Sequence, residues 1–217
     1  MRVRINMSNL SDAESEVLYE HYKETCEIIR DSIGVRDKWF FLILILAAVF
    51  LFEMFSPEEA MLALSNIISS KLQLHQQLNM SFVRSILWFS LLAITMKYCQ
   101  TVVYIEKQYK YVHNLEDRIN KSFGSCFFTR EGKSYSSNFP LFFNFSWILY
   151  TWIFPVLYLT VVVSKIINEW QRADVNSVLI WTNSIFTASI IILVVFYLFQ
   201  IHGKNNQKTA CHQGPDK

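Results

Sequence analysis

The sequence predicts an all-α integral membrane protein with four transmembrane helices, and with amphipathic cytoplasmic helices before span 1 and after span 2. Three observations carry this expectation. Of the 217 residues, 52% are hydrophobic and 18% charged, whereas a soluble domain is usually about one quarter charged. The charges are excluded from some stretches and crowded into others. Lysine and arginine gather beside one leaflet, the pattern that sets orientation in membranes.

A hydrocarbon core of about 30 Å needs roughly 20 apolar residues in helical form, because lipid offers open backbone groups no partner. Residues 39–55 form a short first span, interrupted only by Glu53 near its far end. The second runs from about Phe82 to Ile105, with Lys97 inside it. The third, Leu141 to Ser164, and the fourth, Val178 to Gln200, contain no charge. The implied divisions are 1–38, a cytoplasmic helix; 39–105, two spans joined by an outer helix; 106–140, a cytoplasmic helix and turn; 141–201, two further spans; and 202–217, a cytoplasmic tail.

Arg2, Arg4, Lys23, Arg30, Arg36 and Lys38 precede the first span, six more basic residues lie between the second and third, and three follow the fourth. Lys71, Arg84, Lys165 and Arg172 fall on the other side. Both termini are therefore expected in the cytoplasm. Cys26, Cys99, Cys126 and Cys211 all avoid the outer segments and form no CxxC pair, which fits reduced thiols and argues against a disulfide framework or zinc site. The basic start, Met1 to Arg4, leads into a polar stretch, so a cleavable signal peptide is not expected.

Within the N-terminal region, Ser11 to Glu14 reads as a capping box, and Leu18, Tyr22, Cys26, Ile29 and Ile33 recur at helical steps on one face. Gly34 is a plausible break before the membrane. A second cytoplasmic helix continues the second span without interruption; Ile105, Tyr109, Val112, Ile119 and Phe123 form its stripe. The two stripes can pair within one subunit or between subunits. On the outer side, Ser56-Pro57-Glu58-Glu59 is a helix start, and the connection from Ile166 to Ser177 is read as a loop. Pro155 should kink the third span.

The candidate membrane-embedded polar residues are Glu53, Arg84, Lys97 and Asn183. Glu53 and Arg84 lie at the outer ends of adjacent antiparallel spans, where an ion pair would join them. A proton relay through Glu53 would need a second ionisable group at similar depth, and the third and fourth spans supply none as bounded. Lys97 either snorkels to the inner headgroups or faces a polar cavity between spans. Thr182, Asn183, Ser184, Thr187 and Ser189 either bond helices together or line an aqueous path. Several tryptophans, Trp88 among them, read as interfacial anchors.

No metal, cofactor or catalytic constellation is expected. The five histidines form no paired-ligand spacing, five glycines carry no phosphate-cradling loop, and no serine or cysteine has a partnered histidine. The net charge of +2 implies no nucleic-acid partner. A lipid-modifying enzyme would need clustered His, Asp or Glu at one interface, and the sequence displays no such cluster.

Two stretches carry a resemblance. Tyr19-Glu20-His21-Tyr22-Lys23, followed by a basic helix to Arg36-Asp37-Lys38 and a span, resembles the start of small multi-span membrane proteins of bacterial phage-defence loci. Tyr111 to Glu116, then Arg130 to Tyr135 and Phe139-Pro140, is similar to a cytoplasmic loop of bacterial four-span proteins. The resemblance implies a bacterial inner-membrane protein, the membrane component of an abortive or antiviral system, and transfers no catalytic residues. The expected function is a non-enzymatic membrane effector or anchoring subunit, assembled as a homo-oligomer in the bilayer. A cytoplasmic protein partner or signal would address it through its helices and the loop bearing Arg130, Glu131, Lys133 and Tyr135. The alternative is a stand-alone channel or transporter using Lys97 and the polar half of the fourth span.

Overall fold

A computed structural model of the chain describes residues 12–72, 80–123, 149–172 and 178–202. These residues form α1 (Asp12–Phe55), α2 (Pro57–Leu72), α3 (Met80–Phe123), α4 (Phe154–Arg172) and α5 (Val178–His202), with a π-helical turn at Leu149–Ile153 leading into α4. Among the described residues, three helices are long and apolar enough, by length and composition, to cross a membrane: α1, α3 and α5. The described fold is thus all-helical, with three such helices among the described residues against the four spans expected. The difference lies in α4, which begins its described run at Phe154 and carries Lys165, Glu169 and Arg172. The first part of the expected third span, 141–148, lies outside the described residues.

The first and third helices are each 44 residues long, about 66 Å at 1.5 Å per residue. A bilayer takes up about 30 Å, so each helix projects well beyond it. The expected break at Gly34 is absent: α1 runs straight through it. A glycine costs a helix only about 1 kcal/mol, and packing on either side outweighs that. A β-carbon built at Gly34 would meet nothing within 4 Å.

Towards the N-terminus of α1 and the C-terminus of α3, the two apolar stripes meet within the single chain. Thr25 and Ile29 of α1 are buried, as are Ile105, Val112, Leu115, Glu116 and Ile119 of α3. The Tyr22 hydroxyl donates to Glu116 Oε1 at 3.1 Å, and the His21 and Tyr111 rings meet edge to face at 6.0 Å. Burial first, then Cys26 and Glu116 nearby, raises the pKa of the Tyr22 phenol above its ordinary value.

Between α1 and α2 the chain turns through the single non-helical residue Ser56, whose N–H donates to Phe52 O at 2.9 Å and whose carbonyl accepts from Ala60 N at 2.9 Å. The disturbance expected from Pro155 takes the form of the π-helical turn just before it. Lacking an N–H and crowding the carbonyl one turn back, proline widens the preceding backbone.

Within the bundle, α3 packs against α1 and α5, while α4 packs against α1 and α5 from the other side. The shared core contains Ile43, Phe50, Trp88, Leu91, Tyr158, Val162, Ile190 and Val194.

Candidate functional site

Polar groups inside this apolar bundle collect at the end where α1 and α4 finish and α3 and α5 begin. The helix α4 does not stop at Ser164. It continues to Arg172, through the segment expected to be a loop, and brings Lys165 and Glu169 inside. Lysine and glutamate four residues apart share one helical face, and that face is turned inward: Lys165 is 2% exposed and Glu169 9%.

Lys165 Nζ lies 2.7 Å from Glu53 Oε2 and 3.3 Å from Glu169 Oε1. Glu53 Oε2 meets it as an ion pair and not as a directed hydrogen bond. Arg84 Nε donates to the other oxygen, Glu53 Oε1, which realises the link expected between the first two spans. The Lys165 ammonium also sits 5.6 Å from the Phe50 ring centroid, within cation–π range. Two acids and two bases therefore interlock across three helices, and an unpaired charge here would be costly.

Neutral donors complete the arrangement. Trp88 Nε1 lies 3.1 and 3.2 Å from the two Glu169 carboxylate oxygens. Asn183 Nδ2 donates to Glu169 Oε2 at 2.9 Å, recruiting α5. Trp88 is fully buried, so the expected interfacial anchor is instead an internal donor. Trp170 and Trp181 do sit at this end of the bundle, edge to face at 5.4 Å, with Trp170 Nε1 donating to Ser184 Oγ at 3.0 Å.

The expectation that no second ionisable group lies at the depth of Glu53 is overturned, since Lys165 and Glu169 both do. A span ended at its first charge excluded them. Sequence held two clues: the lysine and glutamate at i and i+4, and a Glu53 whose charge needed compensation.

These groups border a cleft of about 290 Å³, lined also by Ser81, Asn168, Arg172, Leu179 and Ile180. Below it, Thr95 and Tyr158 share a 2.6 Å hydrogen bond, and Phe40, Tyr98, Phe154 and Tyr197 contribute one aromatic ring from each of the four bundle helices. Phe40 meets Phe154 at 4.6 Å and Tyr98 meets Tyr197 at 6.2 Å. The space left among these side chains is about 20 Å³, about one water at most.

Lys97 is exposed on α3 and does not line the cleft. The hydroxyls of Thr182, Ser184, Thr187 and Ser189 donate to carbonyls four residues back on α5, a local bond that leaves little for a pathway. Arg130, Glu131, Lys133 and Tyr135 lie outside the described residues. Among the described residues, no group of three His, Cys, Asp or Glu side chains is placed to hold a metal ion. Comparison with family models, curated proteins and solved structures finds no match to this chain.

Proposed function

We propose that this chain is a non-enzymatic membrane transducer or anchoring subunit, in which a paired-helix stalk relays a cytoplasmic event to a four-span bundle. In this reading α4 is the remaining span, both termini face the cytoplasm, and the stalk is the cytoplasmic part. The supporting observation is continuity: α1 and α3 pass from stalk to bundle with no break, so a displacement at Tyr22 or Val112 has a stiff route to Glu53 and Arg84. The buried Lys165 and Glu169 pair lets α4 cross despite its charges, because each is compensated inside the protein. The basic residues gathered beside one leaflet support the orientation. The resemblance carried by Tyr19 to Lys23 suggests a bacterial inner membrane and a phage-defence setting, with a soluble partner and homo-oligomeric assembly.

The aromatic layer favours this reading over a stand-alone channel. A path through one subunit would have to cross Tyr98, Phe154, Tyr158 and Tyr197, which line a cavity of only about 20 Å³.

The test combines topology with stalk integrity. Cysteines replacing Ser70 and Asp117, both exposed, should react with an impermeant thiol reagent from opposite compartments. Val112→Asp, which buries a charge between the stalk helices, should abolish crosslinking of a cytoplasmic protein to the stalk and any loss of membrane potential on activation. A stalk disrupted in this way, with crosslinking and potential both as in wild type, would defeat the transducer reading.

A further inference from the structure

The cleft at the end of the bundle has more polar capacity than the ion cluster uses. Asn183 is 4% exposed. Its Nδ2 is committed to Glu169, which fixes the amide orientation, since the reverse would set oxygen against carboxylate. That leaves Asn183 Oδ1 buried with no hydrogen-bond partner among the described residues, a costly state unless something donates to it.

Charge is also left over. Glu53 and Glu169 are matched by Lys165 and Arg84, and Arg172 at the cleft wall makes no ion pair among the described residues, so the described part of the lining carries one cation in excess. Arg84 commits only its Nε to Glu53, leaving its terminal nitrogens for another acceptor. Two guanidinium groups suit a phosphate, whose oxygens accept their forked donors. At about 290 Å³, the cleft is near the lower end of small-ligand pockets. Trp170 and Trp181, next in sequence to Glu169 and Ile180 of the lining, are residues of the type enriched at the headgroup level of a bilayer.

We infer that the cleft binds a phosphate group with an adjacent hydrogen-bond donor: Arg84 and Arg172 take the phosphate oxygens, and Asn183 Oδ1 accepts the donor's hydrogen. Two sources share this chemistry. One is the phosphoethanolamine headgroup of a phospholipid, whose ammonium supplies N–H donors. The other is free hydrogen phosphate, whose P–OH does the same. The site needs only the bundle geometry and stands whether or not the stalk docks a partner.

Each source has a donor-free counterpart, and this defines the test. Delipidated full-length protein is melted in detergent supplemented with phosphatidylethanolamine or phosphatidylcholine, and separately with inorganic phosphate or sulfate. Lipid retention is read by native mass spectrometry. Preference for phosphatidylethanolamine over phosphatidylcholine assigns the headgroup, and preference for phosphate over sulfate assigns the free ion. In either case Arg172→Gln, at an exposed position, should weaken the preferred ligand about tenfold, whereas Lys97→Gln should not. Equal responses within both pairs, or no response to any of the four, overturn the inference. An unchanged affinity in Arg172→Gln removes the proposed phosphate contact and overturns it as well.

Discussion

Replacing Lys165 with methionine removes the ammonium from between two buried carboxylates while nearly keeping the side-chain volume. Its distances of 2.7 Å to Glu53 and 3.3 Å to Glu169 correspond to gross attractions of about 6 and about 5 kcal/mol at an effective dielectric of about 20. Most of this is offset by the cost of drying the lysine. Breaking a buried pair from one side nets about 3–5 kcal/mol, because the remaining charge is stranded. Glu53 keeps Arg84, so the stranded group is chiefly Glu169, left with the neutral donors Trp88 and Asn183. At about 2–4 °C per kcal/mol for a chain of this size, Lys165→Met should lower the melting temperature in lipid nanodiscs by roughly 6–20 °C. Adding Glu169→Gln removes the stranded charge while keeping an oxygen for the tryptophan and asparagine donors. The double variant should recover at least half of the loss. Lys97→Met, at an exposed position on the same bundle, should change stability by no more than about 0.5 kcal/mol. If Lys165→Met melts with wild type, or Glu169→Gln deepens its defect, the interlocked cluster does not hold the helices together.

Other substitutions test separate parts of the structure. Trp88→Phe keeps most of the ring but withdraws a donor from Glu169, and should cost about 1–3 kcal/mol in the same melting assay. Gly34→Ala should stabilise the protein by about 0.5–1 kcal/mol, because the added carbon meets open space in mid-helix; destabilisation would mean that α1 bends there. Tyr22→Phe leaves Glu116 buried without that hydroxyl and should loosen the stalk, read as faster amide hydrogen exchange around Val112. Burial raises the Tyr22 pKa in the fold, so its contribution is complete below the ordinary tyrosine value of about 10 and disappears as pH climbs through the folded value. The stability gap between wild type and Tyr22→Phe should therefore narrow in alkaline buffer.

Much of the architecture can be read directly from residue order. Apolar runs mark α1, α3 and α5 as long and apolar enough to cross a membrane, and the stripe through Ile105 and Val112 announces that α3 continues past its apolar stretch without a break. The helix start at Ser56 to Glu59 is written in local chemistry, because capping depends on residues within one turn. Even the Glu53–Arg84 link is inferable, since antiparallel neighbours bring those two span ends together. Reading each charge as a boundary fails for Lys165. The energetic penalty of an ion in a bundle depends on what faces it, and the groups that face Lys165 from α1, Glu53 and Phe50, are remote in sequence.

Residue order by itself determined that this protein is helical, with segments long and apolar enough to cross a membrane, because backbone satisfaction and apolar length are properties of contiguous segments. Tertiary structure alone decided that Lys165 and Glu169 belong inside, that Trp88 is a donor and not an anchor, and that Asn183 is left with an idle oxygen. Each of those outcomes is set by the distance between atoms on different helices, a quantity that spacing along a chain does not contain.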